Sequence, residues 1–119
     1  MTDSDLQLLI ENGVTVVALG DEYANLDEST LKATSARLLE IALTAVPPLV
    51  VVDMTRTRFF GSTFLGTLFL MWQRVTARNG KFAMCGVQGL SAEILTTAQA
   101  DRLWELYDSR DAAVNSLTR

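Results

Sequence analysis

The sequence has no histidine, one cysteine and no apolar run long enough to cross a bilayer. Without histidine the commonest general base is missing, a Ser-His-Asp arrangement is excluded, and most zinc sites lose a usual ligand. The lone Cys85 cannot close an internal disulfide, which fits a reducing compartment. The longest apolar stretch, Phe64–Trp72, is interrupted by Gly66 and Thr67 and is far shorter than a membrane span. Met1-Thr2-Asp3-Ser4-Asp5 is acidic, without the basic and then apolar layout of a secretion signal, so a cytoplasmic protein is expected. Basic charge is also short: 10 Lys and Arg stand against 14 Asp and Glu, a net charge of −4. That balance disfavours nucleic acid or an anionic membrane as partner. Neither G-x-G-x-x-G nor G-x-x-x-x-G-K-[ST] occurs, so no nucleotide cradle is indicated. No cofactor and no metal are expected. The adjacent acids Asp21-Glu22 and Asp27-Glu28 point in different directions and suit a solvated loop better than acid–base chemistry. An enzyme is therefore not expected.

What remains is a chain of 119 residues with 49% hydrophobic and 20% charged residues, the profile of one folded domain over residues 1–119. Its elements alternate. Leu6, Leu8 and Ile10 alternate along a first strand, Asn12-Gly13 marks a tight turn, and Val14–Leu19 returns as a second strand. After Gly20 and an acidic loop, Thr30–Ala45 reads as a helix with Leu31, Ser35, Leu38, Leu39, Ala42 and Ala45 on one face. Pro47 and Pro48 stop it, and Leu49–Asp53 follows as a continuous apolar run, the mark of a central strand covered on both faces. A second helix is predicted over Ser62–Arg78, with Leu65, Leu68, Phe69, Trp72 and Val75 as its apolar stripe facing the sheet. Asn79-Gly80 ends it, and Lys81–Met84 forms the next strand. A short helix over Ser91–Ala98, a strand over Leu103–Tyr107 and a last helix opened by Asp108-Ser109 complete the chain. Helices between strands imply an α/β fold with a mixed, largely parallel sheet of four or five strands.

The segment from Val50 to Gly66 carries the functional question. It reads as a buried strand ending in Asp53, a polar loop, and a helix that opens on the adjacent hydroxyls Ser62 and Thr63. A helix N-terminus presents unpaired N–H groups and the positive end of a dipole. Hydroxyls there can cap the helix or carry a phosphate that the same groups stabilise.

On these residues the chain resembles the STAS domain, a family that includes bacterial anti-sigma factor antagonists. The family pattern is an apolar strand ending in Asp, a short loop, and Phe-x-Asp-Ser-Ser-Gly-Leu-Gly entering a helix. Asp53 matches the strand end and Phe59 the loop aromatic. Ser62 and Thr63 match the two serines, and Leu65-Gly66 the closing pair. Leu103-Trp104-Glu105-Leu106-Tyr107-Asp108-Ser109 resembles the family's last strand and helix start. The sequence departs from the pattern at Gly61, where the family has an acid, and at Phe64, where it has glycine.

The resemblance implies a regulatory module that binds an anti-sigma factor or serine kinase. Thr63, with Ser62 beside it, would be the phosphoacceptor. Asp21, Glu22, Arg56, Arg58, Phe60, Gly61 and Phe64 would form the partner-binding surface. Both loops, residues 21–28 and 56–61, follow strand ends and are expected on one edge of the sheet. A second reading is a STAS scaffold that is not phosphorylated and assembles with other STAS chains or as a homo-oligomer. The two departures favour it, as does the mean hydropathy of +0.21. A third, a small-molecule sensor or flavodoxin-like enzyme using the ends of the parallel strands, lacks a phosphate-binding glycine loop.

Overall fold

The computed structural model describes residues 6–19, 25–26, 28–57, 59–60 and 62–118. Five strands form the main sheet: β1 (Leu6–Glu11), β2 (Val14–Leu19), β4 (Leu49–Asp53), β6 (Lys81–Cys85) and β7 (Glu105–Tyr107), in the order β1-β2-β4-β6-β7. Only β1 runs antiparallel, joined to β2 through Asn12 and Gly13, both at positive φ as a two-residue hairpin turn requires. The β2–β4, β4–β6 and β6–β7 pairs are parallel. Two short strands, β3 (Asn25–Leu26) and β5 (Phe59–Phe60), pair with each other outside that sheet. The helices are α1 (Glu28–Thr44), α2 (Ser62–Ala77), α3 (Leu90–Thr97) and α4 (Arg110–Leu117).

Val50, Val51 and Val52 on β4 are all fully buried, because their side chains alternate into two cores. Val17, Val50 and Val52 join Leu38 and Ala42 of α1 and Phe64, Leu68 and Met71 of α2. Val16, Val51 and Ala83 meet Ala113, Val114 and Leu117 of α4 on the other face. Ser109 caps α4, its hydroxyl accepting the backbone N–H of Ala112 at 3.1 Å.

Three sequence expectations need correction. The helical row deepest in the core of α2 is Phe64, Leu68, Met71 and Val75, while Leu65, Phe69 and Trp72 pack at its margin. The rotation follows from neighbours on two sides. Phe69 turns its ring toward Trp104, 5.6 Å away edge-on, while the row centred on Leu68 takes the deep position. On α1, Thr34 and Ile41 are buried with Leu38 and Ala42, while Ser35 is half-buried and shares a 2.7 Å hydrogen bond with Thr67 of α2. The last strand starts at Glu105 rather than Leu103, because Ala100–Arg102 forms a 3-10 turn that places Trp104 in the core.

Candidate functional site

β4 ends at Asp53 because a carboxylate there is satisfied locally. Its Oδ1 accepts the Thr55 backbone N–H at 3.0 Å and the Thr55 hydroxyl at 2.5 Å. Its Oδ2 accepts Nε of Arg110, at the start of α4, at 3.0 Å. Arg110 also reaches Glu11 at the end of β1, Nη1 to Oε2 at 3.2 Å. Burial pushes the Asp53 carboxyl up, but the bonds from Thr55 and the charge and bond of Arg110 outweigh it and hold it below 3.8. The same burial, with the Asp53 charge, pushes the Cys85 thiol up to about 12, so this buried cysteine is a packing group and not a nucleophile.

The chain then makes a tight turn over residues 54–57. The Thr57 N–H donates to the Met54 carbonyl at 2.9 Å, and the Met54 N–H to the Cys85 carbonyl at 2.8 Å. Gly86, at φ +74, lies against this turn, and a Cβ there would come within 2.8 Å of the Thr55 backbone. Gln88 Nε2 donates to the Thr55 carbonyl at 3.2 Å. Met54 and Thr57 are buried and Arg56 is exposed at the turn. The turn is thus held by β6, by the segment after it and by α4, and it delivers the chain to β5 and α2.

Thr63 lies exposed in the first turn of α2, which contains no acidic residue. Ser62 is the first residue of α2, and Gly61 before it lies outside the described residues. The Ser62 side chain is also outside them, as are Asp21, Glu22 and Arg58. The β3–β5 pairing, Asn25 with Phe59 and Leu26 with Phe60, brings the end of the acidic loop beside the segment that leads into α2.

Two residues expected on the partner surface are not there. Phe60 and Phe64 are each 0% exposed, with ring centroids 5.3 Å apart, and fill the core beneath the helix start. They can support the surface but cannot touch a partner. Gly66 is exposed on α2 and nothing lies within 4 Å of where its Cβ would be. Sequence reasoning missed Arg110, Glu11, Gly86 and Gln88. The one available signal was an acid ending an apolar strand, which asks for a partner but does not name it.

Among the described residues, no group of three His, Cys, Asp or Glu side chains can hold a metal ion, and no helix is long and apolar enough to cross a membrane. A cavity of about 310 Å³ lies at the far end of α2, lined in part by Trp72, Thr76, Phe82 and Trp104.

The Asp53–Arg110 contact gives a pH prediction. A carboxyl held below its unfolded value of 3.8 adds stability that is present above that pH and is lost as pH falls through the folded value. Asp53→Asn should cost about 1–3 kcal/mol at pH 7, because it removes the charge that Arg110 faces and replaces one of the two acceptor oxygens with an amide donor. In urea unfolding, the gap between wild type and variant should narrow steadily as the pH is lowered below 3.8. A gap that does not change with pH would remove the carboxylate from this role.

The described residues form an α/β domain whose mostly parallel five-stranded sheet places the polar β4–α2 junction at the end of its central strand. A family model for the STAS domain matches residues 6–113, and the chain belongs to that family. Among solved structures, an anti-sigma-factor antagonist (STAS) domain protein from Planctomyces limnophilus is 26% identical. The match covers 98% of this chain and 100% of that one, with a TM-score of 0.90. An anti-sigma factor antagonist from Mycobacterium paratuberculosis is 21% identical over 96% of this chain and 93% of its own, TM-score 0.81. The anti-sigma factor antagonist SpoIIAA in its unphosphorylated form is 13% identical over 95% and 97%, TM-score 0.66. Among curated proteins, none matches by sequence.

Proposed function

We propose that this STAS domain is a cytoplasmic regulatory binding protein, not an enzyme. It engages an anti-sigma factor or serine kinase through the β4–α2 junction, and phosphorylation of Thr63 switches that engagement off. The observation that carries the proposal is Thr63 itself: an exposed hydroxyl in the first turn of a 16-residue helix, behind a turn held by β6, by the segment after it and by α4. A kinase can reach it, and the helix dipole favours the charge it would add. The likeness to the Planctomyces limnophilus antagonist domain supports the class of partner. Burial of Phe64 supports it further, since the bulk that replaces the family's glycine goes inward and does not cover the exposed Thr63.

The test is phosphate transfer. Incubated with its cognate kinase and ATP, the protein should gain one phosphate by intact mass. Thr63→Ala should abolish the gain and Ser62→Ala should retain it. A gain that persists in Thr63→Ala moves the acceptor elsewhere, and no gain in wild type leaves the scaffold reading in its place.

Gly66 allows a separate check on the surface. A glycine in a helix interior costs roughly 0.5–1 kcal/mol relative to alanine. No internal contact requires it here. Gly66→Ala should therefore raise the unfolding free energy by up to about 1 kcal/mol while weakening partner binding, because a Cβ enters the docking face. Unchanged binding, measured by calorimetry, would place Gly66 outside that face.

A further inference from the structure

β1 is an outer strand of the sheet, paired with β2 on one side and with no described residue on the other. Soluble proteins usually blunt such an edge with lysine, proline or a bulge. The strand sequence LQLLIE has neither lysine nor proline, and its register with β2 runs unbroken from Leu6 opposite Leu19 to Glu11 opposite Val14. Leu8 and Ile10 are 47% and 67% exposed and share one face of the strand. Their backbones face outward too. The two-residue turn at Asn12-Gly13 makes Glu11 and Val14 a hydrogen-bonded pair. Alternation along an antiparallel ladder then points the N–H and C=O of Gln7 and Leu9 toward β2, and those of Leu8 and Ile10 away from it.

This edge is complementary to itself. Set a second copy antiparallel with Leu9 opposite Leu9 of the partner subunit. Leu8 then faces Ile10 of the partner subunit, and Ile10 faces the partner subunit's Leu8. Each pair exchanges two backbone hydrogen bonds through groups that no described strand pairs. Gln7 falls opposite Glu11 of the partner subunit, an amide donor against a carboxylate. Apolar meets apolar and donor meets acceptor at every position from 7 to 11, and the arrangement closes as a two-fold dimer.

We propose that β1 is a self-association edge, through which two copies of this chain join their sheets into one. The surface makes no use of Thr63 or α2, so it stands or falls apart from the phospho-switch. One short strand on each side buries less than the roughly 1,200 Å² of a tight complex, so the dimer should be weak and concentration-dependent.

Sedimentation of the full chain tests it. The mass should rise from 13.1 kDa toward twice that value as the concentration is raised from about 10 to about 500 µM. Ile10→Lys, a change at an exposed position, should remain monomeric over the same range with an unchanged circular dichroism spectrum. Leu9→Cys should give a disulfide-linked dimer under mild oxidation, because the two residues 9 form a close non-hydrogen-bonded pair. Cys85 is fully buried and gives no background link. Leu8→Cys, which faces Ile10 of the partner subunit, should not cross-link. A monomer at every concentration, an Ile10→Lys protein that associates as wild type does, or a link through Leu8→Cys in place of Leu9→Cys would overturn the proposal.

Discussion

Phe64→Ala is expected to lower the unfolding free energy by about 3–5 kcal/mol, the range for removing a buried aromatic ring. The side chain is fully buried and stacks at a tilt of 58° on Phe60, with 5.3 Å between ring centroids. Aromatic pairs of this kind contribute about 0.5–1.5 kcal/mol beyond their area, so the loss should sit toward the upper end. Leu68→Ala, one helical turn further along the same row, removes fewer atoms and should cost about 2–5 kcal/mol. Urea unfolding with an unchanged denaturant slope is the measurement. Phe64→Leu should recover most of the loss. A Phe64→Ala protein within about 1 kcal/mol of wild type would mean that the ring is not a core element, and the surface role expected from sequence would be restored.

That surface role failed for a physical reason. α2 is apolar almost all round: Phe64, Leu65, Leu68, Phe69, Leu70, Met71, Trp72 and Val75 leave no single stripe that fixes which side faces the sheet. Periodicity gave the helix and its length but left its rotation undetermined by roughly one residue. Neighbours outside the helix, Phe60 beneath the row and Trp104 beside Phe69, decide it. The elements that could be read were those with strong local chemistry. The Asn12-Gly13 hairpin, the triple-valine central strand and the Ser109 cap all lie where the sequence placed them.

β3 and β5 could not be read, because two residues carry no period. The brace on the candidate site was invisible for a related reason. Asp53 and Arg110 are 57 residues apart, and nothing local to either predicts the other. Gly86 reads as an ordinary turn glycine, yet it is needed where the chain after β6 presses against Thr55. The site is legible as a motif and not as a mechanical unit. Its hydroxyls are local, whereas the groups that hold it still come from β1, β6 and α4.

The sharpest separation between a switch and a scaffold comes from Thr63→Asp. Thr63 is exposed, and the first turn of α2 has no acid to repel a new charge. An aspartate there should leave stability unchanged or raise it by about 0.3–1 kcal/mol through the helix dipole. Binding should respond in the opposite direction. A charge desolvated against a closely fitting partner costs about 2–5 kcal/mol, which is roughly 30-fold to several thousand-fold in affinity. Phosphothreonine, with about −1.5 to −2 charges, should lie beyond aspartate in the same series. Thr63→Ser should bind and accept phosphate as wild type does, since it keeps the hydroxyl and loses one methyl group. The pairing of stable fold with lost binding is what identifies a switch, because a merely structural threonine would lose both together or neither. If Thr63→Asp folds normally and still binds the proposed partner at wild-type affinity, the helix start is not the contact surface. Regulation would then have to act through another face, and the β1 edge is the first to test.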